Sequence, residues 1–220
     1  MAENMIERLR ELAAMRGNDT ALVTVDINGD AATTYAQLDD YAMRIAATLR
    51  DASAQGERAL LLMDSGLDYV AAFFGCLYAK TIAVPAYPPE TLRAQHLSRL
   101  QAIATDADAR LVLTTRALAE RYRDAFASIA PHATLIEADA IDTNDPAFEP
   151  STVVPDDLAF LQYTSGSTST SKGVMVTHAS LWTNEIAIRE RLGVTPQDVF
   201  VSWLPLYHDM GLIGSMSQPV

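Results

Sequence analysis

Short apolar runs without alternating polar residues constrain the fold of this chain more than any other feature. Ala59–Met63 is continuously apolar, and Ile82–Val84 and Arg110–Leu113 are predicted as further strands of the same kind. Strands of this composition are typically buried on both faces, as in parallel sheets covered by helices. Because segments with helical periodicity alternate with these runs, the sequence predicts an α/β fold with mostly parallel sheets flanked by helices.

The clearest helix signal is a capping box in which Thr34 is followed three residues later by Gln37. After this cap, Leu38, Ala42, Ile45 and Leu49 form an apolar stripe at helical spacing. The other predicted elements are a first helix with Met5, Leu9, Leu12 and Met15 on one face, strand Ala21–Val25, a helix that starts at Ser65 with Asp68 and ends near Ala79, a helix carrying Leu92, His96, Leu100 and Ile103, helix Ala117–Ile129, strand Thr134–Ile136, strand Leu158–Tyr163, strand Val174–Thr177, helix Ala179–Leu192 with Gly193 as its cap, and strand Val199–Ser202.

Composition and charge restrict the functional class. The 220 residues carry a net charge of −12, which argues against a nucleic-acid partner but does not argue against ATP, because a phosphate site needs only local donors. The longest uncharged apolar run, Tyr69–Ala79, is too short to span a bilayer, and the first 16 residues lack the apolar core of a signal peptide. The only cysteine, Cys76, lies in that run and is predicted to be a small buried hydrophobe. We therefore expect a cytoplasmic enzyme.

One segment, Glu137–Asp157, has a different composition from its surroundings. It contains three prolines and seven acidic residues and has almost no periodicity, which predicts a linker or a surface loop. We expect it to separate a first α/β lobe, residues 1–150, from the start of a second lobe, residues 151–220.

A hydroxyl-rich loop, predicted between two strands, is the strongest indication of chemistry. Tyr163–His178 reads YTSGSTSTSKGVMVTH, with seven Ser/Thr hydroxyls, one glycine and a Lys-Gly pair within ten residues. Stretches of this kind are most often solvated hairpin loops, but dense hydroxyls and backbone N–H groups with one lysine also suit a polyphosphate. A Walker A loop is excluded, since Ser171 replaces its second glycine, Gly173 replaces the Ser/Thr after the lysine, and a strand follows instead of a helix.

This loop resembles the phosphate-binding loop of the adenylate-forming enzymes, whose pattern is close to [YF]-T-S-G-[ST]-T-x-x-P-K-G-V. The chain matches it from Tyr163 to Val174 with one departure, Ser171 in place of proline. A second block, Trp203–Ile213, reads WLPLYHDMGLI and is similar to the aromatic-His motif of the same family. The residue pattern of this block is most similar to that of the fatty acyl-AMP ligase branch. The resemblance to the family covers the chain from about Thr33 onward.

The resemblance implies the N-terminal part of the large domain of an acyl-adenylating enzyme. It implies activation of a fatty acid with ATP and Mg²⁺, release of pyrophosphate, and transfer of the acyl group to the phosphopantetheine thiol of an acyl carrier protein, in lipid or polyketide biosynthesis. The Mg²⁺ and ribose ligands and a C-terminal catalytic lysine are expected beyond Val220. Two alternatives stay open: an acyl-CoA synthetase, and a non-catalytic fragment that binds nucleotide or a partner.

The resemblance also implies roles for individual residues. The β- and γ-phosphates are assigned to Thr164, Ser165, Gly166, Ser167, Thr168, Lys172 and Gly173, with Lys172 catalytic. The α-phosphate and the acyl carboxylate are assigned to His208, also catalytic, with Asp209 beside it and Met210 and Gly211 at the mouth of the acyl channel.

The other histidines carry no comparable signal. His96 falls on the apolar stripe of its helix and is expected at the core or its boundary, and His178 is expected to cap or pack a helix start. No cluster of His, Cys, Asp and Glu has the spacing of a zinc site, so no protein-borne metal site is predicted.

Overall fold

A computed structural model of the chain describes residues 2–27, 29–89, 93–142, 148–164 and 172–217. Its helices are α1 (Met5–Arg16), α2 (Tyr35–Asp51), α3 (Leu67–Ala79), α4 (Ala94–Asp106), α5 (Arg116–Arg121), α6 (Arg123–Ile129), α7 (His178–Leu192) and α8 (Asp209–Gly211), with a 3₁₀ turn at Ala138–Ala140 and a π-helical turn at Leu212–Ser217. Its strands are β1 (Thr20–Asp26), β2 (Gly29–Thr34), β3 (Arg58–Leu62), β4 (Ile82–Ala86), β5 (Leu111–Thr114), β6 (Thr134–Glu137), β7 (Leu158–Thr164) and β8 (Lys172–Thr177).

Six of the strands form one mixed sheet, which is parallel except at one edge. The order is β6-β5-β3-β4-β7-β8, with β8 antiparallel to β7. Strands β1 and β2 form a separate antiparallel hairpin. The predicted α/β fold with a mostly parallel sheet flanked by helices is therefore confirmed.

Both faces of the sheet are buried, as the apolar runs predicted. In β3, Ala59 and Leu61 belong to one hydrophobic cluster, whereas Leu60 and Leu62 belong to another. The first cluster lies against α1, α2, α3 and α7, and the second lies against α4 and α6. Because successive side chains of a strand point to opposite faces, a strand between two helix layers needs apolar residues at every position.

Helices α2 and α3 pack closely against each other. The predicted capping box starts α2: Thr34 Oγ1 accepts from the Gln37 N–H at 3.3 Å, and the Gln37 side chain accepts from the Thr34 N–H at 2.9 Å. The predicted stripe of α2 is buried, and a Cβ at Gly75 of α3 would lie only 2.6 Å from Ile45 Cγ2. Glycine at position 75 therefore permits the close approach of the two helices.

A buried carboxylate joins the first three helices. Asp39 of α2 accepts a hydrogen bond from Tyr78 Oη in α3 at 2.7 Å and from Arg10 Nη1 in α1 at 2.6 Å. Two donors satisfy the carboxylate, which makes its burial tolerable in a predominantly apolar layer.

The sheet crosses the lobe boundary that we expected near residues 137–157. Strand β7, which follows this segment, pairs in parallel with β4, which precedes it. Strands β7 and β8 therefore belong to the same sheet as β3 and β4. The described part of the segment is irregular apart from its 3₁₀ turn, and it is held to the sheet layer by Lys80 Nζ, which lies 2.7 Å from Asp157 Oδ2.

Four local predictions were wrong. Helix α3 begins after Gly66, so Ser65 lies outside it and is not its cap. The predicted helix 117–129 is two helices, broken at Tyr122. No strand forms at 199–202, where Val199 and Val201 are each 85% exposed. His96 is exposed on α4 and does not belong to the core.

Cys76 and His178 occupy the positions that we expected. Cys76 is buried, and burial raises the pKa of its thiol to about 12, which keeps it protonated and unreactive. His178 is buried at the start of α7, where Thr177 is the capping residue. Among the helices of the described ranges, none combines the length and the hydropathy that crossing a bilayer requires.

The buried carboxyl of Glu185 in α7 predicts that stability depends on pH. Burial raises the pKa of Glu185 from its ordinary 4.5 to about 8. The folded state therefore binds a proton that the unfolded state has lost, and the free energy of unfolding should fall as the pH rises from about 5 to about 8, by up to about 1 kcal/mol per pH unit. Urea unfolding across this range should show a flatter profile for Glu185→Gln. The exposed carboxyl of Glu190 on the same helix supplies the control, and a Glu190→Gln variant that flattened the profile equally would contradict this assignment.

Candidate functional site

The described residues of the candidate site lie at the carboxyl edge of the parallel strands. Ser65 follows β3, Tyr87 follows β4, and Thr164 ends β7. The chain passes from β3 to β4 on one side and then to β5 on the other, so the strand order reverses between β3 and β4. Open α/β sheets bind ligands outside the carboxyl ends of their strands at such a switch point.

The phosphate-loop motif is presented by the β7–β8 hairpin. Tyr163 lies opposite Gly173, and Thr164 lies opposite Lys172. Thr164 and Lys172 are both exposed, so a hydroxyl and an ammonium group flank the two ends of the loop. Of the other residues assigned to the phosphates, Ser165, Gly166, Ser167 and Thr168 lie outside the described residues.

Gly173 has a packing reason to be glycine. A Cβ at this position would lie 2.9 Å from Tyr163 Cζ and 3.1 Å from its hydroxyl oxygen, so the tyrosine ring covers the space that a side chain would need. The close approach accounts for the glycine without any ligand. Its assignment to the phosphates stays a prediction.

Tyr163 connects the hairpin to a neighbouring helix through a hydrogen bond. Its hydroxyl donates to Asp106 Oδ2 at 2.6 Å, at the last residue of α4. Partial burial and this carboxylate together raise the pKa of the Tyr163 hydroxyl, which therefore stays a hydrogen-bond donor at all ordinary pH values. The base of the predicted phosphate loop is thus fixed on two sides, by β8 and by α4.

The aromatic-His motif lies beside the same edge. The Tyr207 and His208 rings have their centroids 4.9 Å apart, and the Tyr207 ring meets the Tyr87 ring edge-to-face at 6.3 Å. His208 is exposed and immediately precedes α8. The imidazole is therefore accessible to a ligand at the carboxyl edge.

The three residues after His208 have different environments. Asp209 is exposed, and its Oδ1 accepts from the Met210 N–H at 2.8 Å, while the Met210 side chain is 64% exposed. Gly211 is buried, and a Cβ there would collide with the carbonyl oxygen of Pro205. Met210 is thus available to an apolar ligand, whereas Gly211 permits a tight turn of the chain.

Two further residues hold the motif, and sequence reasoning assigned neither of them to the site. Ser65 Oγ accepts from the Leu206 N–H at 2.9 Å, and Gln162 Nε2 donates to the Tyr207 carbonyl oxygen at 3.1 Å. A polar residue inside the apolar run that forms β7 is a signal that could have pointed to Gln162. Nothing in the local sequence distinguishes Ser65.

The described residues hold few groups that could bind a metal together. Within these ranges no group of three or more His, Cys, Asp or Glu side chains could hold a metal ion. Mg²⁺ is commonly held by one or two carboxylates together with the phosphates of a nucleotide. The described donor set does not form a protein cage for Mg²⁺.

Comparison with known proteins relates this site to one family. The family model described as "AMP-binding enzyme" matches residues 9–220. A medium-chain-fatty-acid–[acyl-carrier-protein] ligase, JamA, from Moorena producens is 39% identical, over 85% of this chain and 32% of its own length. A putative fatty-acid–CoA ligase, FadD21, from Mycobacterium bovis is 34% identical, over 99% of this chain and 39% of its own length.

A solved structure extends the comparison to three dimensions. The crystal structure of a fatty acyl-adenylate ligase from L. pneumophila, in complex with acyl adenylate and pyrophosphate, is 36% identical with a TM-score of 0.91. The match covers 100% of this chain and 38% of that protein. The chain thus spans about a third to two fifths of the length of these proteins.

The bond between Tyr163 and Asp106 should contribute measurably to stability. We expect Tyr163→Phe to lower the free energy of unfolding by about 1 kcal/mol, because the ring stays and only the hydrogen bond is lost. In an Asp106→Ala background the same replacement should have almost no effect, which gives a coupling energy of about 0.5–1 kcal/mol in a double-mutant cycle measured by urea unfolding. Strictly additive effects would show that the bond contributes nothing.

Proposed function

Because this chain belongs to the AMP-binding enzyme family, we propose that it provides the phosphate-binding and acid-binding part of an enzyme that activates a fatty acid with ATP. The observation that carries the proposal is the arrangement at the carboxyl edge of the sheet. There β7 ends at Thr164, β8 begins opposite it at Lys172, and His208 is exposed on the neighbouring aromatic-His segment.

The hairpin is assigned to the leaving group of the reaction. A fatty acid carboxylate oxygen attacks the α-phosphorus of ATP, a new P–O bond forms, and the bond to the β-phosphate bridging oxygen breaks. The products are acyl adenylate and pyrophosphate, with negative charge accumulating on the β- and γ-phosphates. Lys172 offsets that charge as an ammonium donor, and the Thr164 hydroxyl donates a hydrogen bond beside it. Binding of the same phosphates is also assigned to Ser165, Gly166, Ser167, Thr168 and Gly173.

His208 is assigned to the reacting centre. An exposed imidazole beside the aromatic pair Tyr87 and Tyr207 can donate to the α-phosphate or to the attacking carboxylate. The exposed thioether of Met210 offers an apolar surface next to it for the acyl chain. Little covalent chemistry is required of the protein, so positioning and charge stabilisation supply the catalysis.

For the second step we propose an acyl carrier protein as the acceptor. Its phosphopantetheine sulfur attacks the acyl carbonyl carbon, a thioester forms, and AMP leaves. The relative named as an acyl-carrier-protein ligase supports this acceptor, while the relative named as a CoA ligase supports free CoA as the alternative. We also propose that the enzyme uses Mg²⁺ with ATP, acts in the cytoplasm and serves lipid or polyketide biosynthesis.

The proposal is tested by the products that the complete gene product forms from ATP, Mg²⁺ and a C12 fatty acid. Mass spectrometry should detect acyl adenylate that accumulates without an acceptor and persists when CoA is added, because the carrier protein is the expected acceptor. Conversion to acyl-CoA would support the proposed adenylation step but would show that CoA, and not a carrier protein, accepts the acyl group. Absence of adenylate with several acids would reject the enzymatic proposal in favour of nucleotide binding without turnover.

The role of Lys172 can be tested with an internal control, since Lys80 is the only other lysine of the chain. We expect Lys172→Ala to slow adenylate formation by about 10²–10³-fold, as for the loss of one preorganised donor. Lys80 pairs with Asp157 in the linker, so Lys80→Ala should leave the rate unchanged.

A labelling experiment tests the same residue by binding alone. ATP or pyrophosphate should protect Lys172, and not Lys80, from an amine-directed reagent, with modification of the two peptides followed by mass spectrometry. Equal modification of Lys172 with and without nucleotide would remove it from the phosphate site.

A further inference from the structure

Gln162 is a buried polar residue that connects two parts of the candidate site. It lies in β7, two residues before Thr164, and only 7% of it is exposed. Its Nε2 donates to the carbonyl oxygen of Tyr207, 45 positions further along the chain, at 3.1 Å. The amide thus joins the strand that leads into the phosphate loop to the residue that directly precedes His208.

The hydrogen bonding of this amide is incomplete. Within the described part of the chain, Gln162 Oε1 is buried and has no hydrogen-bond partner. Leaving a buried acceptor unpaired is unfavourable, and an apolar side chain of similar length would avoid it. Stability alone therefore favours methionine or leucine at this position, and the bond donated to Tyr207 is the remaining physical reason for glutamine.

The segment around Tyr207 is held from a second direction as well. Ser65, in the loop after β3, accepts from the Leu206 N–H at 2.9 Å. The side chains of Ser65 and Gln162 therefore fix two consecutive residues, one through its N–H and the other through its carbonyl group. The Tyr207 ring also meets the Tyr87 ring edge-to-face. Three contacts restrict the backbone just before His208, while His208 itself remains exposed.

We propose that Gln162 is a positioning residue for His208. Through the Tyr207 carbonyl it sets the place of the imidazole relative to β7, and hence relative to the loop that begins at Thr164. Strand β7 in this way fixes the position of the reacting carboxylate relative to the polyphosphate. This inference rests on the proposed function, because it assigns the acid to His208 and the phosphates to the loop.

A positioning role for Gln162 predicts that its replacement affects the binding of the two substrates differently. Loss of the amide donor frees the Tyr207–His208 segment but leaves the hairpin, its bond to Asp106 and Lys172 in place. The defect should therefore fall on the fatty acid and not on ATP. A loss of stability without a positioning role would affect both substrates or neither.

The test compares Gln162→Met and Gln162→Leu with Leu161→Met in the complete gene product. Leu161 is the adjacent residue of β7, and its side chain points to the opposite face, so its replacement perturbs the strand without touching Tyr207. We expect the glutamine variants to raise the KM for the fatty acid about tenfold, with the KM for ATP changed less than about twofold. The Leu161 control should change neither value. Two apolar replacements of different shape guard against a variant that fails to fold.

A second measurement does not require turnover. The imidazole signals of His208, assigned in NMR spectra by their loss in His208→Ala, should shift or split in the glutamine variants and stay unchanged in Leu161→Met. Unchanged His208 signals, or equal changes in both KM values, would overturn the positioning role. If the unaltered protein forms no acyl adenylate, the proposed function fails, and the NMR comparison still decides whether Gln162 positions His208.

Discussion

The described parts of the candidate site depend on the burial of strand β7 in the sheet. Phe160 of this strand is fully buried and meets the ring of Phe73 in α3 edge-to-face, with centroids 5.7 Å apart. Two residues later the same strand carries Gln162, and it ends in Tyr163 and Thr164. An apolar anchor at one end of a strand thus determines the position of the polar residues at its other end, because the backbone between them is fixed by its pairing with β4 and β8.

Fold class and several elements could be predicted from the sequence, because their signals are local or periodic. The run Ala59–Met63 indicated a strand covered on both faces, and Thr34 with Gln37 marked the start of α2 correctly. Strand β2 was missed because it is polar and mostly exposed, although the Asn28-Gly29 dipeptide is a hairpin signal that was available. The alternation at Val199 and Val201 predicted a strand, but a strand also needs a neighbour, and the described residues supply none there.

For the candidate site, contiguous motifs could be located from the sequence, whereas contacts between distant segments could not. The resemblance assigned Thr164 and Lys172 to the phosphates, and this assignment stays a prediction; the structure has the two residues opposite each other on neighbouring strands. The bonds from Ser65 and Gln162 to the segment before His208 join residues 141 and 45 positions apart. Such pairs depend on how the elements pack, so no spacing rule reveals them. The pairing of β7 with β4 across the expected lobe boundary is likewise not visible in composition.

The ring of Tyr163 over Gly173 has a consequence for how this hairpin can change during evolution. A side chain at position 173 would displace the ring at position 163, because a Cβ there would lie only 2.9 Å from Tyr163 Cζ. The two positions therefore cannot drift independently. A descendant that acquires a side chain at 173 must move or lose the ring at 163, which disturbs the attachment of the hairpin to α4. Steric pressure between two strands thus favours glycine at this position independently of any contact with a phosphate.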